Sequence, residues 1–317
     1  MSKPVLLTGV KPTGDLHIGN YFGAIKPFID LLNTGKYTAY IFLADYHTLN
    51  FIQDAEVMRR LSRECIMAYL ACGLDPKEAT MYKQSEIPAH PELCWIFDTI
   101  TTVPYLQRAH AYKDAEAKGK EVSVGTFNYP MLMAADILLY DADVVPVGQD
   151  QKQHVEYARD TAEKFNRVFK QDVFKLPEPL ITKEVGVVPG TDGRKMSKSY
   201  GNTIPLFASR DELAKAVMSI VTDSSGGRPE NVYAIHKLVR SETELASLYE
   251  EHKGSYKALK EALIEDLDRY FAPVRAKYQE LVQDPGIVAE VLEKGGAEAR
   301  AVSEAKMVKV RKAVGVA

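Results

Sequence analysis

A histidine and two glycines follow a short apolar run near the N-terminus, where a strand pattern gives way to a helix pattern. The stretch is KPTGDLHIGNYFGA, residues 11–24, and His17 stands in it between Gly14 and Gly19. Glycine lets a nucleotide approach the backbone closely, and the first N–H groups of a helix favour phosphate. An imidazole can donate a hydrogen bond to a phosphate oxygen. The stretch therefore predicts a nucleotide site, and a histidine that only caps the helix is the open alternative.

The same stretch departs from both common nucleotide motifs. Gly9 and Gly14 have the glycine spacing of a phosphate loop, but Asp15 and Leu16 stand where a lysine and a hydroxyl residue belong. The dinucleotide pattern G-x-G-x-x-G is missing as well. Phosphates bound here need positive charge from another part of the chain.

A second stretch supplies such charge. GRKMSKS, residues 193–199, places Lys195 and Lys198 three residues apart with serines beside them. A flexible basic loop can close over a polyphosphate and neutralise it. Lysines in a loop more often form a solvated charged surface, but together with HIGN at residues 17–20 the phosphate-binding interpretation is favoured.

HIGN and KMSKS resemble the two signatures of class I aminoacyl-tRNA synthetases. Longer strings narrow the resemblance to the bacterial-type tryptophanyl-tRNA synthetases: PTGDLHIGNYFGA, YPMLMAADILLYDADVVPVGQDQKQH at residues 129–154, and GRKMSKSYGN. The similarity runs from about residue 5 to the C-terminal tail and is densest before the helical part of the chain. It implies a ligase that activates L-tryptophan with ATP to tryptophanyl-AMP and pyrophosphate, then transfers tryptophan to the 3′ end of tRNA(Trp).

The resemblance also implies the site residues. It gives catalytic roles to His17, Lys195 and Lys198, which would stabilise the charge that moves onto pyrophosphate. ATP would be bound by Lys11, Pro12, Thr13, Gly19, Asn20, Gly148, Gln149, Asp150, Lys195, Met196, Ser197, Lys198 and Ser199. Tryptophan would be bound by Leu7, His47, Tyr129, Met133, Asp136, Val145, Val147 and Gln151.

Asp136 stands in a markedly apolar stretch. Its neighbours in MLMAADILLY are almost all apolar, so a carboxylate there needs a partner. The resemblance makes that partner the indole N–H of tryptophan, and a salt bridge to another helix is the alternative. We favour the indole, because a buried polar acceptor strongly rejects a substrate that lacks the matching donor.

Two positions depart from the family pattern. Lys11 stands where many relatives have Gln, and this extra cation is placed to contact ATP phosphates or the carboxylate of the amino acid. Tyr200-Gly201-Asn202 follows the lysine motif, where another common form of the family has Asp-Pro-Asn. We expect the closure of the lysine loop to differ accordingly.

Alternating strand and helix patterns position these residues. Short apolar runs at 4–9, 37–45, 79–84 and 142–148 predict strands, and stretches of helical period separate them. The alternation predicts an α/β fold with a Rossmann-like doubly wound parallel sheet, as in class I synthetase catalytic domains. Strand signals stop after about residue 205, and helical spacing then predicts an all-helical C-terminal domain.

We expect four segments along the chain. Residues 1–190 would form the catalytic domain, with a dimer-forming insertion at about 88–145. Residues 191–203 are rich in Gly, Ser and Lys and would form a mobile loop. Residues 204–299 would form the helical domain that binds the tRNA anticodon, and residues 300–317 a C-terminal helix or tail.

Composition excludes some functions. A net charge of −3 over 317 residues argues against indiscriminate coating of nucleic acid, but it leaves room for a local basic face. No run is long and apolar enough to span a membrane, and the short apolar N-terminal run predicts no signal peptide. Cys65, Cys72 and Cys94 cannot all pair within one chain and lack the spacing of a zinc site. We expect a cytoplasmic protein without a protein-bound metal or membrane contact.

The resemblance implies four partners: L-tryptophan, ATP with Mg²⁺, tRNA(Trp) and a second copy of the chain.

Three alternative functions stay open. Tyrosyl-tRNA synthetase is the nearest, since it shares both signatures, but it usually has His where Asn20 stands. A small-molecule adenylyltransferase usually lacks KMSKS and the helical domain. A catalytically idle synthetase paralogue that binds RNA is a further alternative, and the intact His17, Lys195, Lys198 and Asp136 count against it.

Overall fold

A parallel sheet forms the centre of the N-terminal half. The computed structural model describes residues 3–12, 14–117, 119, 121–148, 152–181, 187–222 and 227–317. Within these ranges its strands are β1 (Val5–Val10), β2 (Thr38–Leu43), β3 (Ala79–Lys83), β4 (Val144–Val147) and β5 (Glu178–Ile181). They lie in the order β3-β2-β1-β4-β5, and all neighbours pair in parallel. The predicted Rossmann-like fold is confirmed.

The strand order reverses beside β1. This strand pairs with β2 along its whole length, from Val5 opposite Thr38 to Val10 opposite Leu43, and meets β4 on its other side at Leu6 and Val144. Chain connections leave β1 and β4 in opposite directions, which opens a crevice at the carboxyl ends of these two strands. Open α/β sheets bind their ligands in such a crevice.

Helices follow each of the first four strands. The segment after β1 runs as α1 (Ile18–Asn20), a π-helical turn (Tyr21–Ile25) and α2 (Lys26–Leu32). Then come α3 (Asp45–Thr48), α4 (Ala55–Ala71), a 3-10 turn (Gln84–Glu86), α5 (Ala89–Ile100), α6 (Val103–Leu106), α7 (His110–Ala117), α8 (Val124–Leu138) and α9 (Lys152–Phe169). The Asp54 side chain caps α4 by accepting from two backbone N–H groups, and Gly73 takes a positive φ just beyond the end of the helix.

The C-terminal part of the chain is helical, as predicted. A 3-10 turn (Lys198–Tyr200) precedes α10 (Arg210–Met218), α11 (Glu230–His236), α12 (Glu242–Glu251), α13 (Tyr256–Gln283) and α14 (Pro285–Val314). Ser209 and Glu212 form a capping box at the start of α10. Residue 300, where a separate C-terminal segment is predicted to start, lies inside α14, which continues across it without a break.

The last helix returns to the sheet. Lys306 of α14 donates to Asp141 at 2.6 Å, and Arg311 forms a bidentate pair with Glu92 of α5 at 2.7 Å on both oxygens. One apolar core contains Ile18 from α1 and Leu267 from α13, so the two halves share buried surface. Among the described helices, none combines the length and the apolar character that a membrane crossing requires.

Candidate active site

His17 is the N-cap of α1. The backbone N–H of Asn20 donates to Nδ1 of His17 at 3.3 Å, and the backbone N–H of His17 donates to Oδ1 of Asn20 at 3.0 Å. Because Nδ1 accepts, the neutral ring carries its proton on Nε2. Burial, assisted by the charge of Lys198, lowers the pKa of His17 to about 4, so the ring is neutral at pH 7. The histidine is therefore a cap whose Nε2–H has no hydrogen-bond acceptor within the described chain.

The lysine loop packs directly on this turn. Met196, in the centre of KMSKS, is 4% exposed and lies in the apolar core with Ile18. A Cβ on Gly19 would stand 3.2 Å from Cβ of Met196 and 2.9 Å from Nδ1 of His17. Glycine at position 19 thus allows the HIGN and KMSKS segments to touch, although they are far apart in the sequence.

Asn202 holds the loop in this position. Its side chain accepts from the backbone N–H of Ser197 at 2.8 Å and donates to Asp192 at 2.6 Å and to the carbonyl of Lys195 at 3.2 Å. The residue is 2% exposed, and Gly190 leaves room for it, because a Cβ there would come within 2.3 Å of the Asn202 amide. In the sequence, Asn202 stands out only as part of a variant of the family pattern, and nothing there predicts this role.

Lys198 lies over the glycine turn. Its Nζ is 3.3 Å from the position that a Cβ of Gly14 would take, and Gly14 has a φ of +91°. Burial lowers the pKa of Lys198, and the charge of nearby Asp15 opposes this. The second lysine of the loop, Lys195, lines a cavity between β1, β4 and the helix that follows β1. Both lysines thus lie beside the segment that follows β1.

That cavity, the lysine-side cavity, has a volume of about 360 Å³. Of the residues predicted to bind ATP, Gly19, Gly148, Lys195 and Met196 line it. The hydroxyls of Ser197 and Ser199 pair with each other at 2.9 Å instead, Asn20 acts through the cap, and Pro12 is buried. Thr13, Gln149, Asp150 and, from the tryptophan set, Gln151 lie outside the described residues.

A second cavity, the aspartate-side cavity, has a volume of about 280 Å³. Its walls include seven residues predicted to bind tryptophan: Leu7, His47, Tyr129, Met133, Asp136, Val145 and Val147. Thr8, Gly9 and Gly148 line both cavities, so the two adjoin at the crevice between β1 and β4. The structure thus brings the two predicted ligand sets together side by side.

Asp136 is fully buried on α8 yet lines this cavity. Its Oδ2 lies 2.9 Å from Nε2 of His47, while Oδ1 lies 2.6 Å from Nδ1 of His90 and accepts from Nε2 of Gln84 at 2.7 Å. Burial raises the pKa of Asp136, but the electrostatic and hydrogen-bond effects of His90 and His47 outweigh burial and bring it to about 2. The group is therefore a carboxylate with polar protein partners, although none is the lysine or arginine of an ordinary salt bridge.

Lys11 belongs to the aspartate-side cavity. It lines that cavity and not the lysine-side one, and its Nζ lies 5.8 Å from the centre of the Phe51 ring. Protein atoms around the ammonium lower the pKa of Lys11, although the side chain still reaches solvent. Of the two contacts expected for this cation, the position favours the carboxylate of an amino acid.

Several wall residues were not predicted. Phe42, Ala44, Ile137, His154 and Val155 also line the aspartate-side cavity. Phe42 pairs with Gly9 in the sheet register, and its ring fills the place where a Cβ of Gly9 would stand, at 2.5 Å. His154 lies 3.1 Å from the hydroxyl of Tyr129. A signal for His154 was present, since it ends the string QDQKQH after β4, but Phe42 needs the strand register.

Fold and site together define a class I tRNA synthetase. The family described as tRNA synthetases class I (W and Y) matches residues 2–282. Within it, the chain belongs to the tryptophan–tRNA ligases. It is 45% identical to the tryptophan–tRNA ligase of Fusobacterium nucleatum, over 98% of this chain and 97% of that protein, and 44% identical to that of Campylobacter jejuni, over 98% and 99%. The predicted family membership is confirmed.

Solved structures agree with this assignment. The crystal structure of tryptophanyl-tRNA synthetase from Campylobacter jejuni has a TM-score of 0.92 at 42% identity and covers 99% of this chain and 100% of that one. The structure from the same organism complexed with ADP and tryptophan has a TM-score of 0.92 at 43% identity, with 98% and 99% covered. A tyrosyl-tRNA synthetase from Archaeoglobus fulgidus, at 22% identity and a TM-score of 0.64, shares the fold.

Proposed function

We propose that this protein is a ligase that activates L-tryptophan with ATP and transfers it to the 3′ end of tRNA(Trp). The observation that carries the proposal is the pair of adjoining cavities at the β1–β4 crevice. One has Lys195 and the His17 turn at its edge, and the other has the buried carboxylate of Asp136 in its wall. Phosphates and an indole N–H are the groups that these two environments complement.

The first reaction needs no nucleophilic side chain. A carboxylate oxygen of tryptophan attacks the α-phosphorus of ATP, the bond to the bridging oxygen breaks, and pyrophosphate leaves with the electron pair. The product is tryptophanyl-AMP. The protein must align the two substrates and stabilise the charge on the departing group. In the second reaction a hydroxyl of the terminal tRNA adenosine attacks the activated carbonyl, and AMP leaves.

His17 and the two lysines are suited to stabilise that charge. The Nε2–H of neutral His17 offers one hydrogen bond to a phosphate oxygen, while Lys195 and Lys198 offer full charges from the facing loop. In this proposal a mobile loop brings the lysines onto the phosphates when ATP is bound. Gly148 and Asp150 would hold the ribose, with Mg²⁺ entering on the ATP phosphates as part of the substrate. No group of three or more acidic, His or Cys side chains in the described ranges is arranged to hold a metal, so the phosphates would supply most of its ligands.

The aspartate-side cavity suits the amino acid. Asp136 would accept the indole N–H, and Leu7, Met133, Val145 and Val147 would surround the ring. Tyr129 and Gln151 would hold the α-amino group, and Lys11 lies where it can reach the carboxylate. Because the carboxylate of Asp136 is buried, phenylalanine would leave an acceptor unpaired and bind poorly.

We also propose a homodimer with tRNA bound across both subunits. Residues 88–145 carry exposed apolar side chains, with Trp95 71% exposed on α5, Val103 59% on α6 and Val124 80% on α8. Tryptophan is enriched in protein–protein interfaces, and a second copy would cover these three side chains in such a dimer. The three cysteines are free thiols, which supports a reducing cytoplasmic location.

Exchange of labelled pyrophosphate into ATP, measured with each standard amino acid in turn, tests the proposal. We expect exchange with tryptophan and, under the same conditions, none above background with tyrosine or phenylalanine. Exchange with tyrosine alone would assign the chain to the tyrosine branch. Absence of exchange with every amino acid, from a folded protein that binds tRNA, would favour the idle paralogue.

A further inference from the structure

The carboxylate of Asp136 is held by side chains from three separate elements, and two of these side chains lie outside the set predicted to bind tryptophan. His47 comes from α3, Gln84 from the 3-10 turn after β3, and His90 from α5. His47 lines the aspartate-side cavity, whereas Gln84 and His90 do not line it and are both 0% exposed. The two buried residues therefore lie behind the carboxylate, on the side away from the cavity.

The two oxygens of Asp136 have different numbers of hydrogen-bond partners. Oδ1 has His90 at 2.6 Å and Gln84 at 2.7 Å, so both of its lone-pair directions have a protein partner. Oδ2 has His47 at 2.9 Å as its partner among the described residues. Since His47 is the partner on the cavity wall, Oδ2 is the oxygen on the cavity side, with acceptor capacity left for one more donor.

His90 is itself fixed from behind. The hydroxyl of Tyr140 lies 3.3 Å from Nε2 of His90, and the ring of Tyr82 is stacked with the imidazole, with ring centres 6.2 Å apart. Tyr140 and Tyr82 are both almost fully buried. With Nε2 and one ring face in contact with these tyrosines, Nδ1 is the atom that His90 presents to Asp136. A ring nitrogen that faces a carboxylate at 2.6 Å carries its proton toward it.

Gln84 supports the same arrangement. Its Nε2 donates to Asp136, while its Oε1 has no hydrogen-bond partner in the described part of the chain. An amide held in this orientation leaves a buried acceptor unpaired, which costs free energy. The donor side of the amide is thus directed at the carboxylate at the expense of its carbonyl.

We propose that His90, with Gln84 beside it, is a positioning residue for tryptophan recognition. It binds Oδ1 of Asp136 and so leaves Oδ2 facing the cavity as the acceptor for the indole N–H. The inference rests on the proposed function, because it takes tryptophan as the ligand of this cavity. It adds that the preference for an N–H donor depends on residues that the substrate never touches.

The experiment compares L-tryptophan with L-3-(1-benzothiophen-3-yl)alanine, in which sulfur replaces the indole N–H. The ratio of their kcat/KM values in pyrophosphate exchange measures the contribution of the N–H group. We expect the wild-type protein to favour tryptophan, and His90→Leu to reduce that ratio by about tenfold, the range of one hydrogen bond to a charged group. The loss should fall on tryptophan and leave kcat/KM for the analogue nearly unchanged.

Two further variants form a matched pair. His90→Asn places an amide N–H near the position of Nδ1 and should restore most of the ratio, whereas His90→Gln places its amide nearer Nε2 and should not. If His90→Leu does not fold, the comparison of His90→Asn with His90→Gln tests the proposal instead. Equal ratios of kcat/KM for tryptophan and the analogue in these two variants would overturn it. An unchanged ratio in His90→Leu, or an equal loss for both substrates, would overturn it as well. A wild-type protein that does not distinguish the two substrates would instead refute the role given to Asp136.

Discussion

The backbone N–H of Asn20 donates to Nδ1 of His17 at 3.3 Å, while the side-chain oxygen of Asn20 accepts from the backbone N–H of His17 at 3.0 Å. This reciprocal pair does more than begin α1. It occupies the Nδ1 atom as an acceptor, so the proton of the neutral ring must sit on Nε2. One short motif therefore starts the helix that we propose faces the phosphates and selects the tautomer of its histidine.

His17→Asn separates these two roles. The Asn side chain can still cap α1 through its own oxygen, but it provides nothing at the position of Nε2. We expect the free energy of unfolding at pH 7 to change by no more than about 1 kcal/mol. The single-turnover rate of adenylate formation should fall by about 100-fold, because a donor to the leaving phosphate is lost.

His17→Gln is the matched control for that variant. Its amide reaches toward the Nε2 position but fits the cap less well, so adenylate formation should recover in part while stability decreases. A wild-type rate in His17→Asn would remove Nε2 from the reaction. A large loss of stability in His17→Asn would mean that the observed rate reflects misfolding of the turn.

The buried imidazole also predicts a pH dependence of stability. The pKa of His17 is about 4 in the folded protein and 6.5 in an unfolded chain, so the unfolded state binds the extra proton between these values. Stability should therefore be complete above about pH 6.5 and decrease as pH falls toward 4. At pH 4 the loss in the free energy of unfolding that is due to His17 is about 2 to 3 kcal/mol.

Other groups titrate in the same range, so the measurement is a difference between two proteins. The free energy of unfolding of wild type and His17→Asn should be followed by urea denaturation from pH 7 to pH 4. We expect wild type to lose more stability than the variant, whose cap does not titrate there. Parallel curves would show that folding does not lower the pKa of His17, and an imidazole NMR titration would then find a pKa near 6.5.

Asn202 offers a test of loop anchoring. Asn202→Ala removes the side chain that joins Ser197, Asp192 and Lys195, and so frees the segment that carries both lysines. We expect adenylate formation to slow by about tenfold or more, because misplaced charges stabilise the leaving group poorly. Equilibrium binding of tryptophan should stay the same, since Asn202 does not line the aspartate-side cavity.

Asn33→Ala is the control for this change. Asn33 is exposed at the end of α2, and its side chain has no hydrogen bond in the described part of the chain. It should leave both adenylate formation and tryptophan binding at wild-type values. If Asn202→Ala weakened the binding of tryptophan as much as the binding of ATP, the role of Asn202 would not be limited to the loop.

Much of this site was predictable because its residues lie in continuous motifs. The residues of HIGN and KMSKS face each other, and the four predicted strands appear within a few residues of their expected bounds. β5 was missed because EPLI is short, half-exposed and contains proline, so it lacks the apolar run of a buried strand. Its position at the edge of the sheet explains why such a sequence is tolerated.

The remaining residues could not be predicted, because long-range contacts define their roles. In the sequence, His90 and Gln84 are ordinary polar residues near β3. Their role depends on contact with Asp136, which is 46 positions from His90 and 52 from Gln84. Asn202 gains its role from contacts within a folded loop. Periodicity reports which face of an element is buried, but it does not report which buried polar groups meet.

Two adjacent glycines of α14 show how strongly such contacts act. A Cβ on Gly295 would stand 1.9 Å from the carbonyl oxygen of Met81 in β3, which is backbone and cannot move aside. A Cβ on Gly296 would stand 3.3 Å from the ends of the Arg300 and Glu86 side chains, which can rotate away. Helix propensity alone favours alanine at both positions, by about 1 kcal/mol.

We therefore expect opposite results from the two substitutions. Gly295→Ala should lower the free energy of unfolding by about 3 kcal/mol, because the clash with β3 exceeds the gain in propensity. Gly296→Ala should be neutral or stabilise by up to about 1 kcal/mol. Urea denaturation of both variants at pH 7 makes the comparison, and similar stabilities would mean that α14 does not pack against β3 at this distance. If the urea transition of Gly295→Ala alone became less cooperative, α14 would be unfolding separately from the sheet in that variant. The close contact with β3 would then be what makes the helix and the sheet unfold as one unit.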